Sequence, residues 1–216
     1  MVTIAREAVA KHIQTAKQKA ELLEKHSLKY ILLSMMAGIY VGFGIALIFS
    51  IGAPLKAAAA PGLKALMGAS FALALTLVIF AGSELFTGNN MIMLMGSLSR
   101  EVPWVSTLKI WIVSFIGNLS GALLMASAMY GTGLITKSPL KDFILDTSAA
   151  KMTAPVMELF IRGILCNMLV CLAVWTSSIA KEDTARLLLV FWCLFGFIGT
   201  GFEHSIANMS LLGMGL

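Results

Sequence analysis

Two short polar segments interrupt apolar stretches of the sequence, and their residue types allow proton exchange and hydrogen bonding to a small ligand. Residues 82–89 (GSELFTGN) carry Glu84 and Thr87, and residues 199–205 (GTGFEHS) carry Glu203 and His204. A histidine has a reference pKa of about 6.5, so it can hold or release a proton near neutral pH. We expect a histidine at such an interruption, beside a carboxylate and a serine, to be functional rather than a satisfied core residue.

Three other polar features of the apolar stretches have structural interpretations beside functional ones. We expect Arg162 to neutralise Glu84 or Glu203 in the protein interior rather than to contact a ligand, because buried charges are usually paired. Glu203 has a second interpretation, hydrogen bonding to the backbone amides of its own interruption. Asn167 has two equal interpretations, one as a pore-lining residue and one as a partner of a neighbouring helix. Residues 117–122 (GNLSGA) predict close helix packing.

The composition shows what must position these residues. Of the 216 residues, 58% are hydrophobic and 12% are charged, and the mean hydropathy is +0.88. Soluble domains have about 45–50% apolar and about 25% charged residues. The composition therefore excludes a soluble enzyme, a disordered chain and a collagen-like rod, and it predicts an integral, all-α membrane protein embedded in the lipid bilayer. The basic residues lie at the edges of apolar blocks, which argues against nucleic acid as a partner.

Five apolar stretches are long enough to cross a membrane, which takes about 20 helical residues. Two of them are interrupted by the polar segments described above. The predicted spans are 30–55, 65–83 with a shorter continuation over 85–99, a third within 110–136, a fourth around 155–180, and a fifth from about 187 to 216 that is interrupted at Glu203 and His204.

Residues 1–29 precede the first span and predict a separate amphipathic helix on the cytoplasmic surface, with residues 30–216 as the transmembrane domain. Its apolar positions recur at helical spacing and form the stripe Ala5, Val9, Ile13, Ala16, Ala20 and Leu23. With the N-terminus inside, most Lys and Arg residues fall on the cytoplasmic side, as the positive-inside rule requires. We therefore expect a multi-pass protein of the cytoplasmic (inner) membrane with a cytoplasmic N-terminus.

The two interruptions resemble each other, which is the sequence sign of an inverted repeat with a site near the membrane midplane. A half-helix that begins there points free N–H groups and the positive end of its dipole into the site, which favours a small anion. Thr87 would add a hydroxyl donor, and Asn89, Asn90 and Ser205 are candidate helix caps. In such a repeat, spans one to three are echoed by spans four to six. We expect a sixth helix that is missing from this chain.

Four segments together resemble the signature segments of the formate/nitrite transporter family. They are residues 82–89, residues 117–122, residues 163–175 (GILCNMLVCLAVW) and residues 201–209 (GFEHSIANM). The resemblance implies an aquaporin-like helix bundle with two interrupted helices, assembled as a homopentamer with one pore in each subunit. It also implies that the central hole of the pentamer does not conduct the substrate.

The resemblance also assigns roles to individual residues. His204 is similar to the family's central pore histidine, and Thr87 to its partner on the loop of the second span. The apolar residues Leu75, Leu85 and Phe197 match the inner constriction, and Phe71 matches the outer one. The polar residues Glu203, Asn208, Asn167 and Lys151 match residues that organise the histidine or the outer vestibule.

The resemblance implies a channel for small monovalent anions of weak acids and favours hydrosulfide, with formate, nitrite or chloride also as substrates. Whether anions move alone or together with protons is left open. A neutral-solute channel of aquaporin type is the alternative, but it requires paired Asn-Pro-Ala segments, and no asparagine here precedes a proline. The sequence contains no His-Glu-x-x-His or Gly-x-Ser-x-Gly motif. We therefore expect no enzymatic activity, no cofactor and no metal site.

Overall fold

The chain folds as a bundle of helices. The computed structural model describes residues 2–216, with side chains from residue 5 onward. Over this range there are nine α-helices, and the third is extended by a π-helical turn, Val78–Gly82. Proline residues precede α5, α6 and α7, where the fixed backbone angle of proline suits a helix start. The helices are α1 (Val2–Lys25), α2 (Ser27–Ala57), α3 (Leu63–Leu77), α4 (Phe86–Leu98), α5 (Trp104–Gly131), α6 (Leu140–Thr153), α7 (Val156–Ile179), α8 (Asp183–Thr200) and α9 (Ser205–Gly215).

Within the described residues, five helices are long and apolar enough to cross a membrane, which confirms the predicted spans. They are α2, α3 with its π-helical turn, α5, α7 and α8. The third span, predicted within residues 110–136, lies in α5, which begins six residues earlier, at Trp104, and ends at Gly131. Pro103 starts this helix, and Lys109 is accommodated in its second turn.

Both predicted interruptions are present. The chain leaves α3 at Gly82, whose φ of +76° suits glycine, and residues Ser83 and Leu85 are extended before α4 begins. The second break follows the same course: Gly201 has a φ of +85°, and His204 is extended before α9 begins. With 13 residues, α4 is too short to cross a bilayer of about 30 Å.

The helices that flank the breaks pack around one apolar core. Its buried side chains come from α2, α3, α5, α7, α8 and α9, and Ile45, Phe71 and Leu194 are each at most 3% exposed. The start of each half-helix is therefore enclosed by long helices. The enclosed residues are Leu85, Thr87 and His204, which are buried, whereas Gly82 and Gly201 at the outer ends of the breaks are exposed.

Two peripheral helices differ from the prediction. Residues 140–153 lie between the predicted third and fourth spans, where no helix was predicted, and they form α6, in which Ile144 is buried against the core. In α1, Ala16 is buried as expected, but Ala5 and Val9 of the predicted stripe are exposed, and Ala8 is buried instead. Contacts with α4 and α7 select this face rather than hydrophobicity alone. The assignment of residues 1–29 to the cytoplasmic surface stays a prediction.

Candidate functional site

Three cavities lie in series through the bundle. The α1-side cavity has a volume of about 580 Å³ and is lined partly by α1, including Lys11, His12 and Lys19. The middle cavity, of about 10 Å³, shares Leu75 and Leu85 with it. The α6-side cavity, of about 300 Å³, shares His204 with the middle cavity. The shared residues mark the two narrow positions between the cavities.

The middle cavity is the narrowest part and is largely apolar. A cavity of this size holds about one water molecule. Phe71 and Phe197 meet edge to face with ring centroids 5.7 Å apart, and the Phe197 ring stacks on His204, also at 5.7 Å. All four residues expected at the constrictions line this one cavity: Phe71, Leu75, Leu85 and Phe197. The structure thus brings them together around His204 instead of separating Phe71 from the other three.

His204 and Thr87 form a polar pair that joins the two half-helices. The Thr87 Oγ1 atom lies 3.2 Å from His204 Nε2, and both residues are buried. His204 is also the N-cap of α9, since its Nδ1 atom accepts a hydrogen bond from the Ala207 N–H at 3.1 Å. Because Nδ1 accepts, the neutral ring carries its hydrogen on Nε2 and donates it to Thr87. The Thr87 hydroxyl can then donate its own hydrogen to a ligand.

The expected helix caps are made differently. The side-chain amide of Asn89 donates to the Tyr30 hydroxyl and to Glu84, and that of Asn90 donates to Asn167. At the second break, His204 supplies the cap instead of Ser205. The prediction of caps from these residue types was wrong, because a better placed partner satisfies each amide.

Glu203 is held by a charged partner from α6. Lys151 forms an ion pair with it, and the Asn208 side chain donates a hydrogen bond to the same carboxylate at 2.8 Å. Lys151 lies in the last turn of α6. Asn167 donates to the Thr87 carbonyl at 2.9 Å, so it is a partner of a neighbouring helix, as one interpretation predicted. It also lines the α6-side cavity, and its role as a pore-lining residue stays a prediction.

The first break has a matching arrangement that the sequence did not predict. Lys19 of α1 contacts both Glu84 carboxylate oxygens at 2.6 Å, and Asn89 donates to the same carboxylate at 3.1 Å. Arg162 pairs with Glu158 one helical turn away, at 2.7 Å, so its predicted pairing with Glu84 or Glu203 was wrong. The spacing of four residues between Glu158 and Arg162 was the signal that could have shown this.

The sequence of this chain matches those of known transport proteins over most of its length. The family model described as "Formate/nitrite transporter" matches residues 6–216. The chain belongs to the formate/nitrite transporter family. It is 41% identical to the nitrite transporter NirC of Salmonella typhimurium over 213 residues, which cover 96% of this chain and 76% of that protein. It is 33% identical to the formate channel FocA of Escherichia coli over 196 residues, covering 89% of this chain and 68% of that protein.

Solved structures agree with this assignment. A structure described as an FNT family ion channel superposes with a TM-score of 0.91 at 39% identity, covering 97% of this chain and 82% of that chain. A pentameric formate channel with formate bound superposes with a TM-score of 0.79 at 29% identity, covering 89% of this chain and 76% of that chain. The all-helical fold is therefore that of known channels of the family, and the relatives are transporters and channels rather than enzymes.

Proposed function

We propose that this protein is a membrane channel for small monovalent anions of weak acids, with nitrite and formate among its substrates. One observation carries the proposal. The Thr87–His204 pair lies where the middle cavity meets the α6-side cavity, so hydrogen-bond donors are present where an anion would lose its water. The relatives named for nitrite and formate transport support the same class of substrate.

In this mechanism, the two large cavities admit the hydrated anion and the apolar ring around the middle cavity strips its water. Removing an ion from water is costly unless hydrogen bonds replace the hydration. The Thr87 hydroxyl, which accepts the His204 Nε2–H, supplies such a donor in a buried site, where it acts more strongly than in water. Once His204 has taken up a second proton, the imidazolium can pass its Nε2 proton through the Thr87 hydroxyl to the anion and return to the neutral ring, so that a neutral acid crosses the apolar ring. Anion conduction alone and joint movement with a proton differ in their dependence on pH.

The remaining features belong to the same proposal. The equivalent contacts of Glu84 with Lys19 and Asn89, and of Glu203 with Lys151 and Asn208, support two halves related by an inverted, aquaporin-like repeat. The pentameric formate channel supports a homopentamer with one pore per subunit. The cytoplasmic N-terminus and the inner-membrane location rest on the distribution of Lys and Arg.

Hydrosulfide stays a prediction within this class, since the relatives are named for nitrite and formate. A neutral-solute channel is not favoured, because these relatives transport anions. The choice among hydrosulfide, nitrite, formate and chloride requires competing flux measurements on one purified preparation. Osmotic swelling with glycerol on the same vesicles tests the neutral-solute alternative.

The experiment that tests the proposal measures anion flux into proteoliposomes across a range of pH. We expect the wild-type protein to conduct nitrite and formate well above empty vesicles. We expect Thr87→Val to lower this flux about tenfold or more, because a hydrogen bond to a charged group is worth about 1.5–3 kcal/mol. Thr107→Val is the matched control, since Thr107 is also buried but bonds Ser97, away from the three cavities. Wild-type flux equal to that of empty vesicles would overturn the proposed function.

A further inference from the structure

The helices α2 and α5 cross with their main chains in contact, beside the first break. A Cβ atom on Gly38 would lie 2.1 Å from the Asn118 carbonyl oxygen, and one on Gly121 would lie 1.9 Å from the Met35 carbonyl oxygen. No side chain fits at either position. Because the helices approach so closely, the short side chain of Asn118 reaches across α2 to the interruption between α3 and α4.

Asn118 makes three hydrogen bonds there and is fully buried. Its Nδ2 atom donates to the Ser34 carbonyl of α2 at 2.7 Å and to the Glu84 carbonyl at 2.9 Å. Its Oδ1 atom accepts from the Phe86 N–H at 2.9 Å. Both amide hydrogens and the carbonyl oxygen of the side chain are therefore used, and two of the three bonds go to the break.

These two bonds fix the backbone of Leu85 from both sides. The Glu84 carbonyl belongs to the peptide group before Leu85, and the Phe86 N–H belongs to the peptide group after it. Holding both groups fixes the two soft dihedrals of Leu85, which determine where its side chain points. The Glu84 N–H is held as well, by the Leu33 carbonyl at 3.1 Å. Leu85 lines both the α1-side and the middle cavity, so its direction sets the width between them.

We propose that Asn118 is a positioning residue that sets the size selectivity of the pore by fixing Leu85. The proposal rests on the proposed function, because it assigns a determinant of that same pathway. Asn118 acts through Leu85 and through the start of α4, where Thr87 lies, and it does not line any of the three cavities described above. The second break has its own device, since His204 caps α9 with its own ring.

The test compares Asn118→Ser with wild type in proteoliposomes, with formate as the small anion and lactate as the larger one. The serine side chain is too short to hold both peptide groups, so the Leu85 side chain becomes free to move aside. We expect the ratio of lactate flux to formate flux to rise about threefold or more. The free energy of one buried hydrogen bond, about 0.5–1.5 kcal/mol, is large enough to change the ratio by this factor. A purely structural role would lower both fluxes together and leave their ratio unchanged.

The matched control is Ser114→Ala, one helical turn earlier in α5. Ser114 is also buried, but its hydroxyl donates to the Ile110 carbonyl within the same helix. Its ratio should equal that of wild type. An unchanged ratio in Asn118→Ser would overturn the positioning role, whereas wild-type protein without anion flux would overturn the proposed function instead.

A measurement on the wild-type protein decides the matter even if the serine variant does not fold. Phe86 and Ser205 are the first residues of α4 and α9, and such first amides usually lack a partner within the helix. Because Asn118 accepts from the Phe86 N–H, we expect this amide to exchange its hydrogen about tenfold more slowly than that of Ser205. Equal exchange rates would show that Asn118 does not hold the break.

Discussion

His204 has two roles in the structure, and two substitutions separate them. Its Nδ1 atom caps α9 at 3.1 Å from the Ala207 nitrogen, and its Nε2 atom faces Thr87 at 3.2 Å. Asparagine is among the best N-cap residues, but its side chain is too short to reach Thr87 as well. His204→Asn should therefore keep the cap and lose the donor. His204→Phe should lose both.

The magnitudes follow from these contacts. Without the Nε2–H, the Thr87 hydroxyl is no longer oriented to donate to the anion. Loss of a hydrogen bond to a charged ligand costs about 1.5–3 kcal/mol, so nitrite and formate flux should fall by about 10- to 150-fold in both variants. Loss of the cap costs about 1 kcal/mol, so only the phenylalanine variant should also unfold at a lower denaturant concentration. Flux is measured in proteoliposomes by stopped flow, and stability by denaturation in detergent. An asparagine variant that conducts within about threefold of wild type would refute the role of His204 as a pore donor.

Three further changes test the contacts that support the site. Lys151→Met leaves the Glu203 carboxylate buried without its counter-charge, so the free energy of unfolding should fall by about 3 kcal/mol. Adding Glu203→Gln to this variant should restore most of the lost stability. No restoration would show that the ion pair is unimportant. Burial and the adjacent lysine hold the pKa of His12 below its usual 6.5. The packing of α1 should therefore be fully stabilised above pH 6.5 and weaken as the pH falls through the lowered pKa of His12. Proteolysis of α1 should speed up from about pH 7 to about pH 5, and His12→Gln should remove this pH dependence. Equal proteolysis rates at both pH values in the wild-type protein would contradict the linkage. Gly121→Ala should abolish folded protein, because its Cβ would lie 1.9 Å from a main-chain oxygen of α2. Gly131→Ala is the control, since a Cβ at that position would lie in open space. Equal yields of the two variants in gel filtration would contradict the close crossing.

The spans and their interruptions could be predicted from the sequence because they depend on local properties. A long apolar stretch and a break marked by glycine and a carboxylate are visible without knowledge of the fold. The break at residues 82–85 was predicted because Gly82 and Glu84 are both unfavourable in a lipid-exposed helix. The same reasoning failed for α6, since its mixed sequence, with four charged residues among fourteen, is indistinguishable from that of a loop. Only its packing against α2 and α9 makes it a helix.

The pairing of charges could not be predicted, because it depends on which helices become neighbours. Glu84 required a cation, but the sequence offered Arg162 inside an apolar stretch and gave no reason to choose Lys19, 65 residues away on α1. The role of Asn118 was hidden for the same reason. Within the segment GNLSGA the glycines predicted close packing correctly, yet the carbonyl groups reached by the asparagine belong to two other segments of the chain.

The two breaks share one supporting frame and differ at the positions that face the pathway. In each, a glutamate pairs with a lysine from a peripheral helix and accepts a hydrogen bond from an asparagine five residues later. The residue after the glutamate is Leu85 in the first break and His204 in the second, and the residue three positions after it is Thr87 in the first and Ile206 in the second. Leu85, Thr87 and His204 line the cavities, whereas Ile206 is buried in the core. The two polar residues come from different positions of the breaks, and they meet as the Thr87–His204 hydrogen bond beside an apolar ring, the arrangement that the proposed anion pathway requires. A strictly symmetric pair of breaks would place either two histidines or two leucines at this point, and neither arrangement would combine dehydration with hydrogen bonding at adjacent positions.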